Sequence, residues 1–472
     1  MTTAECGISR IDKLFVDRDR TDAATAHARR EAFTIAICCG DDLERSYTLQ
    51  LAALTAASLA ARCFPRAVRI VLSAKLQGAR LLVWPSLSLT IRDAFTQLLG
   101  APAIVTTVPT RSSAIVLGDA PAAPKALRIT FDGWIAKVGP ADRTERLQER
   151  QYCSVAGVLG AAIAVSEAFL SFAEICIAAG RRVVALSLWR PDADPSDPAA
   201  LGVPVEYLPG SLWLLGLGHL GNAYLWVLAS LPYADPKTAL FYLNDYDRVE
   251  RDNLETGVLF RAEDVPGLKT RVCNAWLEAR GFRTRIIERP FDQHFRCRKE
   301  DPAKEPQMAL CGFDSNPVRR DLATADFLRV IESGLGNSAS NFDTLSMHTL
   351  PNPRPADKLW PDLPKEELEK RAKEQERLAR ENPAYAGLGT DECGRYELAG
   401  KSIAVPFVGA TAASFVIAEA LRLFHDGPAY TDLKFSLATP GKCAVVSAGT
   451  YSASDFAALE YATAAELPLG GR

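Results

Sequence analysis

The sequence predicts an α/β fold in which short apolar strands alternate with helices, and three observations carry this prediction. An apolar strand at 211–215 runs into a glycine-rich turn and then into an apolar helix at 223–231. A second apolar strand, 239–243, follows this helix and ends in acidic residues. The composition, 48% hydrophobic and 24% charged, is that of a folded globular protein. The order strand, glycine turn, helix, strand is typical of a Rossmann-like parallel sheet.

The bulk properties of the chain exclude several classes of protein. With 472 residues, it is long enough for two or three domains with substantial cores. The net charge of −3 gives no basis for binding nucleic acid or an anionic membrane. The eleven cysteines include no Cys-x-x-Cys pair, which argues against a disulfide framework or a structural zinc site. Because no apolar signal segment follows Met1, we expect a cytoplasmic protein without nucleic-acid or membrane partners.

Proline-rich segments divide the chain. Five prolines fall between residues 190 and 210, and since proline fixes φ and lacks an N–H donor, this stretch reads as a linker. We therefore expect one domain at 1–208 and another at 209–472. A second proline-rich region, 341–402, is expected to be an irregular crossover segment. Its charged stretch has acids four residues before bases, a pattern that favours a solvated helix.

The two predicted domains look related to each other. At one fixed offset, residues 155–172 and 407–424 share a glycine, two alanines, a glutamate and a phenylalanine. Both segments place small residues early and then follow an apolar helical pattern, which suggests a duplicated α/β unit. The apolar run from Val155 is expected to be a buried helix, because Glu167 and Glu174 would be costly inside a membrane.

The turn after the strand at 211–215 has the spacing of a phosphate-binding loop. Gly216, Gly218 and Gly221 allow a tight turn and let backbone N–H groups approach a phosphate at the start of the helix. Asp245 and Asp247 follow the next strand, where an acid can hold ribose hydroxyls. These residues predict a nucleotide site, but they fit NAD as well as ATP.

The continuation of the sequence separates these two cofactors. Residues 245–272 resemble the active adenylation half of E1 enzymes and their relatives, the ThiF and MoeB family. That family carries Asp-x-Asp, Asn-Leu and a helix-start lysine, which correspond here to Asp245, Asp247, Asn253, Leu254 and Lys269. Residues 309–319, with Asp314, resemble the family's strand ending in Asp-Asn-x-x-x-Arg. The late helix at 405–424 is also similar, so the resemblance covers 211–424 in order and the N-terminal half more faintly.

The resemblance implies an ATP site that also takes Mg²⁺. Lys269 would supply a positive charge to the phosphates, and Asp314 would hold Mg²⁺. The ribose would lie on Asp245. The full set of implied ATP-binding residues is Gly216, Gly218, Gly221, Asp245, Asp247, Asn253, Lys269 and Asp314. These residue types suit adenylation, in which charge builds on phosphate oxygens and must be met by cations.

One position departs from the family, which usually has an arginine facing the phosphates two residues after Asn-Leu. Thr256 stands there in this sequence. A replacement cation is expected from Arg251 or Arg261, or from the opposing half, where the candidates by position are Arg10, Arg18 and Arg20. The N-terminal half itself has acids after its glycine, at 38–42, and these would repel phosphate. It therefore resembles the inactive adenylation-like half of an E1.

E1 enzymes that form a thioester carry its nucleophilic cysteine in a crossover segment. The segment 341–402 contains one cysteine, Cys393, in polar sequence predicted to be a loop. Arg395 nearby favours a thiolate, although two acids oppose it. Four further cysteines lie in helix-like, charged or strand-like contexts and are poorer candidates, namely Cys273, Cys297, Cys311 and Cys443.

The implied function is ATP-dependent adenylation of the C-terminus of a ubiquitin-like protein, followed by thioester formation on Cys393. This resemblance points to the E1-like proteins of bacterial ubiquitin-like conjugation systems of the Bil type, and so to antiviral defence. The implied partners are a ubiquitin-like protein and an E2-like conjugating protein, and a homodimer is a further expectation. Three alternatives stay open: a sulfur-carrier or small-molecule adenylyltransferase without a thioester, an NAD-dependent oxidoreductase, and a non-enzymatic pseudo-E1 scaffold.

Overall fold

The computed structural model describes residues 8–83, 87–121, 125–298, 305–386 and 392–467. It contains two large β-sheets, one in each half of the chain. The strands of the N-terminal half are β1 (Ile35–Cys39), β2 (Val68–Val71), β3 (Ile104–Val105), β4 (Ser113–Leu117), β5 (Leu127–Asp132), β6 (Ile135–Pro140) and β7 (Val184–Ser187). Its helices are α1 (Asp12–Asp19), α2 (Ala23–Ala32), α3 (Tyr47–Cys63), α4 (Ala74–Gly78), α5 (Ile91–Leu99) and α6 (Val155–Phe172).

The first sheet has the strand order β3-β2-β1-β4-β5-β6-β7. The pairs from β3 to β5 are parallel, and β6 and β7 extend the sheet in antiparallel pairs. The central strand β1 is buried along its whole length, as its continuous apolar sequence predicts for a strand covered on both faces. Helix α3 makes the crossover that the parallel pairing of β1 with β2 requires.

The C-terminal half contains the remaining elements. Its strands are β8 (Tyr207–Pro209), β9 (Ser211–Leu215), β10 (Leu240–Asn244), β11 (Arg283–Ile287), β12 (Met308–Cys311), β13 (Arg329–Leu335), β14 (Thr344–Leu350), β15 (Pro428–Ser436), β16 (Ala444–Thr450) and β17 (Tyr461–Thr463). Its helices are α7 (His219–Ala229), α8 (Asn253–Thr256), α9 (Lys269–Glu278), α10 (Asn316–Asp321), α11 (Ala356–Leu359), α12 (Lys365–Glu381), α13 (Pro383–Ala386), α14 (Glu392–Gly400), α15 (Pro406–Leu423) and α16 (Ala453–Phe456).

The second sheet repeats the strand arrangement of the first. Its order is β11-β10-β9-β12-β13-β14-β15-β16, so β9 to β15 occupy the positions of β1 to β7, and β16 is added at the edge. In both sheets the first strand is central, the next two lie to one side and the other strands lie to the opposite side. This shared order agrees with a duplicated unit and confirms the predicted Rossmann-like α/β class with two related halves.

The two halves meet through their long apolar helices. Helix α6 packs on α3 and on α15, and α15 packs on α7. The rings of Phe169 and Phe407 lie 5.4 Å apart between centroids across the contact of α6 with α15. A Cβ on Gly157 would lie 2.8 Å from the carbonyl oxygen of Thr48, so glycine lets α6 approach α3 closely.

Helices α6 and α15 are long and apolar enough to cross a membrane, but 89% and 100% of their apolar windows are buried inside the fold. The predicted buried helix is therefore present, although it ends at Phe172. Their equivalent acids both bind an arginine: Glu167 accepts a hydrogen bond from Arg182, and Glu419 accepts one from Arg422. Pairing of this kind is what makes a buried carboxylate tolerable.

The region 341–402 is more regular than its prolines predict. Residues 344–350 form β14 inside the second sheet, so the inserted segment begins only after Leu350. Within it, the charged stretch is the predicted helix, α12. The segment packs on helix α1, where the buried Lys13 ammonium donates to the Tyr385 hydroxyl at 2.8 Å and to the Ala399 carbonyl at 3.0 Å. Proline-rich sequence here marks the ends of short helices rather than a loose loop.

Candidate active site

The predicted site residues come together at one edge of the second sheet. Strands β9, β10 and β12 are parallel neighbours, and their carboxyl ends carry Gly216, Asp245 and Asp314 respectively. Helix α9, which follows β10, begins at Lys269 on the same edge. In open parallel sheets this edge, where the strand order reverses, is the usual place for a ligand.

The glycine turn has the shape that the sequence predicts. Gly216 has φ = +82°, in the region that favours glycine. A Cβ on Gly221 would clash with the carbonyl oxygen of Gly216, whereas a Cβ on Gly218 would meet no atom within 4 Å. The turn itself therefore requires glycine at 216 and 221. Gly218, in contrast, leaves open space next to the backbone. This open side, at the start of helix α7, suits the approach of a phosphate.

Asp245 braces the glycine turn. Its two carboxylate oxygens accept hydrogen bonds from the backbone N–H groups of Leu217, at 2.7 Å, and Asp247, at 2.8 Å. The side chain is buried, so it acts as a fixed link between the turn and the end of β10. Each carboxylate oxygen still has a lone pair that could accept a ribose hydroxyl.

Lys269 is held in place by Asp247. Its ammonium lies 2.8 Å from the Asp247 carboxylate, and its backbone N–H donates to the Asp247 carbonyl at 3.0 Å. The Lys269 side chain is 10% exposed and the Asp247 side chain 54% exposed. Asn253 is partly buried at the start of α8, where its side-chain oxygen accepts from the Glu250 N–H at 2.9 Å.

Asp314 is exposed beyond the end of β12, and the loop that carries it is held by the side chain of Arg319. The Arg319 guanidinium donates to the carbonyl of Phe313 at 2.9 Å, and it pairs with the fully buried Glu332 at 2.9 Å. Arg319 is the last residue of the 309–319 motif, from which no role was predicted for it. In the structure it positions the residue next to the candidate metal ligand.

Of the three arginines proposed to reach across from the N-terminal half, the structure brings Arg10 to the site. It donates to the Ser402 hydroxyl at 2.7 Å and lies beside His219, the first residue of α7. Burial, and to a smaller degree the positive charge of Arg10, lowers the pKa of His219 to about 4. Arg18 instead donates to the carbonyl of Ala173, and Arg20 is exposed.

Two buried nitrogens beside the glycine turn have no hydrogen-bond partner among the described residues. They are Nε of Arg10 and Nε2 of His219. Together with the open face of Gly218, the Lys269 ammonium and the exposed Asp314 carboxylate, these groups form a donor set that fits a polyphosphate and its Mg²⁺. Gly218, Lys269 and Asp314 stand at the sheet edge described above, whereas the His219 ring lies against Gly409 of α15 and Arg10 comes from the segment before α1.

Thr256 does not face this site. It is buried, and its hydroxyl donates to the Asp252 carbonyl at 3.4 Å, so it contributes no phosphate contact. The suggested replacements Arg251 and Arg261 are both exposed, and Arg261 lies 4.0 Å from Glu263. A cation that the sequence did not suggest lies at the start of α8, where the Lys401 ammonium pairs with Asp252 at 2.7 Å. Nothing local in the sequence links Lys401 to Asp252, because they are far apart in the chain.

In the N-terminal half, the position that corresponds to the glycine turn is filled by the side chain of Asp42. The Asp42 carboxylate accepts from the backbone N–H of Asp119 at 3.0 Å and pairs with Arg146 at 2.6 Å. A carboxylate thus takes the donors that an anionic ligand would use. A Cβ on Gly118 would clash with this same carboxylate, so the glycine makes room for the Asp42 side chain. This geometry agrees with an inactive half.

Cys393 lies in the first turn of helix α14, and the expectation of a loop was therefore wrong. Residues from Glu392 onward form a helix that packs on α12, which the polar, glycine-containing sequence did not indicate. Among the cysteines that the structure describes, Cys393 is the exposed one. Of the poorer candidates, Cys273, Cys297 and Cys311 are buried, and burial raises the pKa of Cys443 to about 12.

Comparisons with known proteins match nearly the whole chain. The family model of the BilD C-terminal domain matches residues 208–427, and that of the BilD N-terminal domain matches residues 34–188. The "Bacterial E1-like protein BilD" of Collimonas sp. (strain OK412) is 32% identical over 445 residues, which cover 93% of each chain.

Solved structures of lower similarity include that of E. coli MccB, with 14% identity and a TM-score of 0.32 over 69% of this chain and 93% of MccB. The microcin C7 biosynthetic enzyme MccB in complex with N-formylated MccA has 16% identity and a TM-score of 0.34 over 69% of this chain and 96% of the other. The family models and the Collimonas relative, by contrast, match both halves in sequence. The chain therefore belongs to the BilD family of bacterial E1-like proteins.

Proposed function

We propose that this protein adenylates the C-terminal carboxylate of a ubiquitin-like protein with ATP and then takes the acyl group as a thioester on Cys393. The observation that carries the first step is the convergence of the glycine turn, Lys269 and Asp314 at one sheet edge, with Arg10 reaching in from the other half. The NAD alternative assigns no role to this lysine and acid.

In the first step, a carboxylate oxygen of the ubiquitin-like protein forms a bond to the α-phosphorus of ATP. The bond from that phosphorus to the oxygen bridging to the β-phosphate breaks, and pyrophosphate leaves with the electron pair. Lys269 and Arg10 would face the charge that grows on the phosphate oxygens. Mg²⁺ held by Asp314 would neutralise part of the same charge.

In the second step, the Cys393 thiolate adds to the carbonyl carbon of the acyl-adenylate and AMP leaves, while the thiol proton has gone to solvent. The short segment from Arg10 to Lys13 supports this step because it contacts both parts of the site. Arg10 donates to Ser402 and its charge acts on His219, whereas Lys13 donates to the Ala399 carbonyl in the helix that carries Cys393. An E2-like protein would then accept the acyl group from the exposed sulfur.

The test is ATP–pyrophosphate exchange with purified protein, Mg²⁺ and ubiquitin-like proteins encoded near its gene. Exchange should require an intact C-terminus of the partner, and a partner lacking its last two residues is the matched control. A DTT-sensitive adduct on a non-reducing gel then reports the thioester. Exchange without any adduct would favour the sulfur-carrier alternative, and NAD binding without ATP binding would favour the oxidoreductase.

A further inference from the structure

The loop that follows helix α8 makes contacts with both halves of the chain near the candidate nucleotide site. Residues 257–260 follow Asn253–Thr256 and form neither helix nor strand, so the carbonyl groups of this loop need partners from elsewhere. A Cβ on Gly257 would lie 2.8 Å from the Phe260 ring and 3.0 Å from the side-chain oxygen of Asn222. The loop is therefore closely packed.

Arg62, in the last turn of α3 in the N-terminal half, supplies those partners. Its Nε donates to the Gly257 carbonyl at 3.0 Å, and its Nη2 donates to the carbonyls of Val258 at 2.7 Å and Phe260 at 3.5 Å. The remaining nitrogen, Nη1, donates to Ser58 in its own helix. A single guanidinium thus binds three backbone carbonyl groups of the loop in the other half.

Arg62 holds this position without a carboxylate. No ion pair to Asp or Glu is formed by Arg62 within the described ranges, and burial lowers its pKa to about 10, so it stays charged at neutral pH. A partly buried cation whose donors all go to neutral oxygens is costly unless those oxygens are held in place. Its contacts indicate that it orders the loop.

The same loop is tied to the glycine turn by Asn222 of α7. The Leu259 N–H donates to the Asn222 side-chain oxygen at 3.2 Å, and the Asn222 side-chain nitrogen donates to the Leu217 carbonyl at 2.8 Å. Asn222 is fully buried, so both of its polar ends depend on these two bonds. Leu217 is also the residue whose N–H donates to Asp245.

We propose that the N-terminal half sets the shape of the nucleotide site through a clamp formed by Arg62, the loop 257–260 and Asn222. The chain of contacts runs from Arg62 through the loop carbonyls to Leu259, then through Asn222 to the glycine turn. Both residues are positioning residues, because they act on the backbone that faces the nucleotide. This assignment gives the inactive half a specific task, and it rests on the proposed adenylation.

The first test replaces Arg62 with lysine, which keeps the charge but cannot reach three carbonyls. The KM for ATP in pyrophosphate exchange should rise about tenfold or more, as the loss of bonds from a charged donor implies, while kcat changes much less. The matched control is Arg66→Lys, four residues on, whose side chain is 89% exposed. An unchanged KM in Arg62→Lys would overturn the clamp.

The second test is a double-mutant cycle between Arg62→Lys and Asn222→Ala. These side chains bind different backbone groups of the same loop, so their effects on the ATP dissociation constant should be less than multiplicative if both act through it. Separate structural damage would instead give multiplicative effects, which would contradict the proposal. ATP affinity is measured by calorimetry on full-length protein whose thermal unfolding is checked first.

Hydrogen exchange separates the failure of this proposal from the failure of the adenylation proposal. Without any nucleotide, Arg62→Lys should increase amide exchange at 257–260 and at the glycine turn, and should leave the amides of β1 protected. If the wild-type protein catalyses no exchange of pyrophosphate, the adenylation proposal fails, yet this local loosening still tests the clamp. Protection at the glycine turn that is identical in the variant would refute it.

Discussion

Removal of the Lys269 ammonium should separate catalysis from stability. In Lys269→Met the chain keeps its length and apolar stem but loses the charge that lies 2.8 Å from Asp247. Because the Asp247 side chain is 54% exposed, water can solvate it once it is unpaired. The free energy of unfolding should therefore fall by less than about 1 kcal/mol, the usual worth of a solvent-screened pair.

The effect on adenylation should be much larger. A preorganised donor that meets charge developing in the transition state is worth about 10²–10³ in rate. We therefore expect the kcat/KM of ATP–pyrophosphate exchange to fall by about a hundredfold or more. Lys237→Ala, at an exposed lysine outside the site, is the control and should behave as wild type.

The assay is isotope exchange between labelled pyrophosphate and ATP with saturating ubiquitin-like partner, together with thermal unfolding of the same preparation. An exchange rate within about threefold of wild type would refute the assignment of Lys269 to the phosphates, since a contact in the transition state would cost far more. A large loss of stability with a proportional loss of rate would instead make Lys269 a structural residue.

Three further outcomes follow from the site. Arg10→Ala should lower exchange at least about tenfold, as expected for a lost charged contact, whereas Arg20→Ala, at an exposed arginine away from the site, should leave it unchanged. Cys393→Ala should retain exchange and lose the DTT-sensitive adduct; an adduct in this variant would assign another cysteine. Burial lowers the pKa of His219 to about 4 in the folded protein, below its value of about 6.5 in the unfolded chain. Between these two pH values the unfolded chain therefore binds more protons than the folded protein. Stability should therefore fall as the pH drops from about 6.5 to 4, and denaturant titrations should show a smaller fall in His219→Gln.

The sequence alone was enough to determine the fold class and to predict where the candidate nucleotide site lies. Strand 211–215, its glycine turn and the acids after the next strand are local features, since period and turn chemistry depend on neighbouring residues. Lys269 and Asp314 were assigned to this site by the family resemblance, and the structure brings both to the carboxyl edge of the second sheet. The related halves were also visible, because the helices 155–172 and 407–424 carry the same small and acidic positions.

Contacts between distant parts of the chain were decided only by the tertiary structure. Arg10, Arg18 and Arg20 look alike in sequence, and only the packing of α1 against the second half places Arg10 beside His219. The helix that carries Cys393 was missed because its sequence has weak helix signals and its support comes from packing on α12 and from Lys13 of α1, far away in the chain.

The pairing of Arg62 with the loop after α8 was equally hidden from the sequence. About two hundred residues separate its donors from the carbonyl groups that accept them. A carbonyl oxygen has no side-chain signature, so no residue pattern shows that a backbone group needs a partner. What the N-terminal half does for the nucleotide site therefore became visible only when both halves were folded against each other.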